Sequence, residues 1–530
     1  MVRLWRHKRI EDLQEEARAD SGLKRALGSI DLTAIGIGAI VGAGIFVLTG
    51  QAAAKYAGPA IVLSFVLAAV ACGFAALCYA EFASMIPLAG SAYTYSYATL
   101  GEFFAWFIGW DLLVEYSIGA AAVAVGWSGY VVSFLNQMGI NIPPEFIAAP
   151  GTRLVFLSNE LIRTMAISVP EGWYELSNYA GGLQRAGIPP ETLQQATALF
   201  NLPALAVVIL LSAILVKGIR ESAIFNSIIV VVKVAVILVV IGVGIAFVNL
   251  SNWTPLVPAN SGKFGEFGWS GVARGAAVVF FAYLGFDAVS TAAQESRNPQ
   301  RDMPIGILAS LGICTVLYIL VAVVITGVVH YSRLNVADPI AVAIDATGMG
   351  WLAALVKLGA IAGLTSVILV LLLGQPRILF TMAHDGLLPL FFARIHPRFG
   401  TPVNTTIVGG LVVAAVATLV PVGVLGELVS IGTLTAFAFV CAAVLVLRYK
   451  RPDLPRPFKT PWVPMVPVMG IVSCLYLALS LPHESWLRLL VWLMVGLIIY
   501  FAYGIRHSHL GDQPPHTHAE RQEGPVRGGD

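Results

Sequence analysis

Three ionisable side chains sit deep inside apolar runs. Lys233 lies in the otherwise uncharged stretch 227–241, Asp287 follows a run of aromatic and small residues, and Glu115 has only Asp111, one turn earlier, as a charged neighbour on its helix. Inserting a lysine near the centre of a membrane-spanning helix costs about 2.5–3.5 kcal/mol, so such a residue faces the bundle interior and takes a partner. Lys233 stands about ten residues, or ~15 Å, from the start of its helix, too far for its stem to reach the interface. We read Lys233 as a fixed or titratable cation that substitutes for a coupling ion or carries a proton, with Asp287 as its nearest carboxylate. A permanent structural ion pair is the alternative. Burial and a neighbouring carboxylate push a lysine in opposite directions, so sequence alone leaves the sign open.

Backbone chemistry is the second signal. The first apolar segment reads Ile35-Gly36-Ile37-Gly38-Ala39-Ile40-Val41-Gly42-Ala43-Gly44-Ile45-Phe46. Each glycine costs about 1 kcal/mol relative to alanine in a helix interior. Gly38 and Gly42 fit the spacing of close helix packing, but Gly42 and Gly44 lie on different faces. The pattern predicts unwinding near 41–44. Such backbone persists at membrane depth only when buried in protein or lining a cavity. Free N–H groups starting the next half-helix favour a carboxylate, and free carbonyls ending the previous one favour an ammonium group. A second candidate break is Phe280-Phe281-Ala282-Tyr283-Leu284-Gly285-Phe286-Asp287-Ala288. Interrupted helices at matching positions of two halves point to a midplane site, although no residue-level repeat is visible. Of the aromatics Phe46, Tyr116, Phe281, Tyr283 and Phe286, the best candidates to wall that site are Phe281 and Phe286.

The elements that position these residues are set by composition. The 530-residue chain is 57% hydrophobic and 12% charged, with mean hydropathy +0.81. Soluble proteins carry roughly 25% charged residues, so lipid must solvate most of this chain. Apolar runs predict about twelve helices, near 30–54, 59–86, 103–136, 202–219, 223–249, 272–294, 304–330, 352–381, 403–421, 424–447, 464–482 and 485–505. The expected class is an all-α membrane protein: a cytoplasmic segment 1–29, a ten-helix core 30–450, a cytoplasmic loop with two accessory helices over 451–507, and a disordered tail 508–530. Lysine and arginine concentrate in the N-terminus and the even-numbered loops, which predicts both termini in the cytoplasm. The connection 137–201 then lies outside as a small cap, with a short helix starting at Glu160–Met165. No signal peptide is read at the N-terminus. The five cysteines show no metal spacing. Four of the nine histidines fall at 507–518, one just before the tail and three within it. The net charge of +2 says nothing about nucleic acid; no metal, cofactor or nucleic-acid partner is expected.

With these residues in view, the chain resembles the amino acid–polyamine–organocation superfamily, and more closely the bacterial relatives of the cationic amino acid transporters. The resemblance rests on the stretch from Gly38 to Val47, on Gly218-Ile219-Arg220-Glu221-Ser222 followed by Lys233, and on Phe281 to Asp287. Further matches are Gln294-Glu295-Ser296-Arg297-Asn298-Pro299, Met303-Pro304, Gly374-Gln375-Pro376-Arg377, Asp385-Gly386-Leu387-Leu388-Pro389, and the run from Arg451 to Pro457. The resemblance implies a 5+5 inverted-repeat core with helices 1 and 6 discontinuous, and proton-linked transport involving Lys233; Asp287 and Glu115 are read, from their places inside apolar runs, as further proton-coupling or cation-substituting candidates. It implies an amino acid held by backbone at Ile40, Gly42, Ala43, Gly44, Phe281, Ala282 and Leu284, with Leu364 of helix 8 facing its side chain. The stretches 294–304 and 374–389 become gating or structural loops. Many relatives have threonine where this chain has Ala43, and the 137–201 connection is longer than in close bacterial relatives. No acidic partner for a cationic side chain stands near Leu364, which favours small or neutral amino acids.

Other classes fit less well. No HExxH, nucleophile elbow or intramembrane histidine cluster suggests an enzyme. Channel filters use rings of carbonyls or charges, usually from several subunits. A sensor that binds without flux and an amino acid/polyamine exchanger stay open, as does a small membrane subunit as partner.

Overall fold

The computed structural model describes residues 6–8, 10, 13, 27–86, 91–165, 171–217, 222–336, 338–397 and 401–509. Most of the expected N-terminal segment, the 218–221 stretch and the tail beyond 509 lie outside these.

Among the described residues, eight helical stretches are long and apolar enough to cross a membrane. Shorter apolar helices are Ser29–Ile40, Leu202–Lys217, Val403–Leu419 and Met465–Ser480. The Ser222–Gly244 helix shows how such a segment is oriented. Val231, Val232 and Leu238 are exposed, whereas Lys233, Val236, Ile237 and Val240 are buried. The buried set falls at i, i+3, i+4 and i+7, one stripe of an α-helix. Its apolar outer face suits lipid, and its inner stripe carries the buried cation. The Ile61–Met85 helix likewise turns Val66 and Val70 outward and packs an alanine-rich face against the Pro299–Val328 helix.

The membrane-embedded core is helical, but the expectation of an all-α chain needs one correction. Within 137–201, strands β1 (Arg153–Leu157), β2 (Gly172–Glu175) and β3 (Gln195–Thr197) form an antiparallel sheet in the order β2-β1-β3. Leu154 pairs with Glu175 and Val155 with Tyr174. A short helix, Asn159–Thr164, begins at Ser158, whose hydroxyl accepts from Leu161 N at 3.4 Å. Val155, Leu157, Leu161, Ile162, Tyr179 and Leu183 make a small core continued by Val336 and Val342 of the main body. Strands of three to five residues among Pro and Gly carry little periodic signal, so this sheet was not foreseen. Neither was the Ser91–Thr99 helix, whose Ser, Thr and Tyr residues do not form an apolar run.

Candidate functional site

The first helix ends at Ile40, and Val41 leaves helical geometry with φ −73° and ψ 93°. The chain turns through Val41 and Gly42 and re-enters a helical path at Ala43. The second interruption is longer. The Gly268–Val279 helix tightens into a 3₁₀ turn over Phe280–Tyr283, Leu284 becomes extended, Gly285 takes φ +108°, and a 3₁₀ helix resumes over Asp287–Glu295.

The two breaks interlock. A Cβ on Gly44 would collide with the backbone of Ala282, and one on Gly285 would stand 2.8 Å from the Ala39 carbonyl carbon. Gly285 also needs a left-handed φ that a side chain disfavours. Tyr318, from the Pro299–Val328 helix, places its hydroxyl 2.7 Å from Ile40 O and 2.9 Å from Ala282 O. One hydroxyl has one proton, so it donates to one of these carbonyls at a time. The final carbonyls of both half-helices therefore converge on a single point.

Lys233 caps the same break. Its ammonium donates to Gly38 O at 2.5 Å, Val41 O at 3.0 Å and the Ser366 hydroxyl at 3.2 Å. These three acceptors use its three protons, and two of them are carbonyls that the helix end leaves unpaired. The negative end of the half-helix dipole adds to the attraction. On the other side of the break, the N–H groups of Gly42, Ala43 and Gly44 have no acceptor among the described residues. Three consecutive free donors opening a helix form an anion cradle.

The permanent ion pair of Lys233 with Asp287, the alternative reading, is not formed: among the described residues no carboxylate is a hydrogen-bond or ion-pair partner of the ammonium. Asp287 instead turns back onto its own break and accepts from Gly285 N at 3.3 Å. A carboxylate at the start of a helical segment satisfies exposed N–H groups there, which draws Asp287 away from the lysine. The structure brings Asp287 into electrostatic reach of Glu115, Tyr116 and Tyr79. Asp287 Oδ2, Glu115 Oε2 and the Tyr79 and Tyr116 hydroxyls are buried without a hydrogen-bond partner among the described residues. Two polar zones thus flank the breaks, one built on Lys233 and one on the carboxylates.

Ile40, Gly42, Ala43, Gly44, Phe281, Ala282 and Leu284 are all buried at the interlocked breaks. Phe46 packs edge-on against Tyr130, whose hydroxyl donates to Phe46 O at 2.6 Å. Phe286 packs against Tyr79 and Phe437. The Gly350–His384 helix meets the first break through Ser366, which bonds to Lys233, and Val367, which lies against Gly42. Leu364 is fully buried on the same helix. Tyr318 and Val367 escaped sequence reasoning, and Ser366 was visible only as the end of the helix 8 stretch that carries Leu364, with no role of its own. A tyrosine or serine within an apolar run is too common to mark a site, and only the fold brings these three to the break.

Comparison with known proteins gives this geometry a family. A family model described as "Amino acid permease" matches residues 27–503. The chain is 44% identical over 510 residues to a methylthioribose transporter of Bacillus subtilis, covering 96% of this chain and all of that protein. It is 44% identical over 508 residues to the branched-chain amino acid permease BcaP of the same organism, covering 96% and 99%. A vacuolar cationic amino acid transporter 4 of Arabidopsis thaliana is 40% identical over 432 residues, covering 81% of this chain and 64% of that protein. With interlocked helix breaks at its centre and these relatives along nearly its whole length, the chain belongs to the amino acid permease family of the amino acid–polyamine–organocation superfamily, as a bacterial-type relative of the cationic amino acid transporters.

Proposed function

We propose that this permease is a secondary active importer of neutral L-amino acids, with a zwitterion held at the interlocked breaks. The observation that carries the reading is the pairing of opposite backbone chemistries there. The free N–H groups of Gly42–Gly44 suit a carboxylate, and the converging carbonyls of Ile40 and Ala282 suit an ammonium group. In this reading the substrate's ammonium competes with the Tyr318 hydroxyl, and its side chain points toward Val367 and Leu364. Apolar neighbours, together with a relative named for branched-chain amino acids, favour leucine, isoleucine and valine.

The segments form twelve membrane helices, ten of them in a 5+5 inverted repeat, in a cell membrane with both termini in the cytoplasm. Proton coupling involves Lys233, with Glu115 and Asp287 as neighbouring carboxylates that exchange a proton. Support comes from the ammonium's place at the first break, where a coupling cation would serve the same carbonyls.

Purified protein in proteoliposomes tests this directly. An inward proton gradient should drive concentrative leucine uptake, and Lys233→Gln should abolish it. Uptake indifferent to the gradient would remove proton coupling. Binding without flux would make the chain a sensor, and obligatory counter-transport of an amine would make it an exchanger. Uptake of methylthioribose with no amino acid transported would overturn the zwitterion reading, because a thiosugar has neither charged group.

A further inference from the structure

A second polar enclosure lies outside the breaks, where the sheet meets the end of the Glu102–Gln137 helix. We propose that it is a second amino-acid subsite, with Asp338 and Glu175 holding the ammonium group of an arriving zwitterion and the Asn136 side-chain amide holding its carboxylate. This proposal rests on the zwitterion reading of the central site.

The cavity has a volume of about 80 Å³. One wall is Gly129, Val132, Ser133 and Asn136, spaced i, i+3, i+4 and i+7 on a single helix face. The opposite wall is Trp173, Tyr174 and Glu175 from β2. Asp338 is 6% exposed and accepts from the Ser133 hydroxyl. Lys357 is its neighbouring cation, but that ammonium already lies 3.2 Å from Gln137 Oε1 and 3.9 Å from Asp345.

Asn136 points to a ligand. It is 7% exposed, lines the cavity beside the Tyr174 hydroxyl, and its Nδ2 makes no hydrogen bond of normal length and angle among the described residues. A buried donor left unpaired costs free energy, so native structures seldom keep one without a use. Gly172 brings β2 directly onto this amide, since a Cβ there would stand 2.5 Å from Nδ2. The lining therefore offers acceptors and aromatic faces for an ammonium group and an amide donor for a carboxylate. Tyr130, bonded to Phe46 O, marks the level of the first break. Asn136 is six residues further along, about 9 Å. An amino acid held here would sit roughly two turns short of the central site, on the side of the sheet.

Full-length protein in nanodiscs, dialysed against radiolabelled L-leucine, tests the proposal by stoichiometry. Wild type should bind two equivalents. Asn136→Ala removes an amide whose Nδ2 has no hydrogen-bond partner among the described residues, and Glu175→Gln alters a solvent-exposed side chain, so both should fold; each should lose one equivalent. Gly44→Ala, which blocks the central break, should lose the other. One equivalent in wild type, or two retained in both Asn136→Ala and Glu175→Gln, overturns the second subsite. If wild type transports leucine while binding a single equivalent that only Gly44→Ala removes, this inference fails and the central reading stands. If wild type neither binds nor transports any common L-amino acid, both fail.

Discussion

At the scale of single residues, Lys233 illustrates how a costly group becomes structural. A lysine in an apolar interior is tolerated when every proton finds an oxygen, and here two of those oxygens are carbonyls that the helix break would otherwise leave unpaired. The lysine and the break each remove the other's penalty. Replacing Lys233 with methionine keeps the volume but strips both carbonyls of their donor. Leaving a buried polar group unsatisfied costs about 1–3 kcal/mol, so Lys233→Met, which strands two carbonyls, should destabilise the protein by roughly 2–6 kcal/mol on that scale. Thermal unfolding in detergent reads this. An unchanged melting temperature would show that the ammonium does not hold the break together, and would leave coupling as its sole role.

At the scale of elements, polar anchors join segments far apart in sequence. Glu81, on the Ile61–Met85 helix, accepts two bonds from Arg448 at 2.9 and 2.8 Å, one from Arg456 at 3.1 Å and one from Thr460 N at 2.8 Å. Glu81 and Arg456 are almost completely buried. The run from Arg451 to Pro457 was legible as a family feature, but its partner was not, because Glu81 lies 375 residues from Arg456. Breaking a buried pair from one side costs about 3–5 kcal/mol, since it strands a charge. Glu81→Gln should therefore lower the melting temperature by several degrees, and an equal fall for an exposed control such as Glu484→Gln would remove this explanation.

A second anchor, between Pro339–Asp345 and the Gly350–His384 helix, titrates. Burial pushes Asp345 up to about 6; Lys357 opposes the rise and Asp338 adds to it. A carboxyl raised in the folded state contributes stability that is fully present below its unfolded value near 3.8 and is lost as pH rises through about 6. Asp345→Asn holds the neutral form, so between pH 4 and 7 wild type should lose stability relative to this variant. Parallel melting curves for the two proteins across that range would show that Asp345 does not titrate there.

At the scale of the whole molecule, the sequence announced the long spans well. The apolar run at 103–136 became Glu102–Gln137, and 352–381 became Gly350–His384. The position of the first break was legible from four glycines that no single packing face explains. What stayed hidden depends on distant parts of the chain meeting: Tyr318 between two breaks, Asp287 turned to its own backbone, and the sheet over 153–197. The meeting of residues 6–8 with the helices around Asp385 and Glu102 is of the same kind. Lys8 pairs with Asp385 at 2.5 Å, Tyr93 donates to the same carboxylate at 2.7 Å, and His509 N donates to Asp385 O at 3.2 Å. Glu102 N donates to Arg6 O at 2.8 Å, and the Glu102 carboxylate accepts from Tyr97, Tyr500 and Ser508. Residues 6–8 and 500–509 thus fasten onto the Ser91–Thr99 helix and the helices beside it. Lys8 is a quarter exposed while Asp385 is buried, so their coupling should exceed that of a surface pair, which is worth about 0.2–1 kcal/mol. A double-mutant cycle of Lys8→Ala and Asp385→Asn should give about 1–2 kcal/mol of coupling in stability. Simple additivity of the two changes would mean that the N-terminal strap rests against the bundle without being held by it.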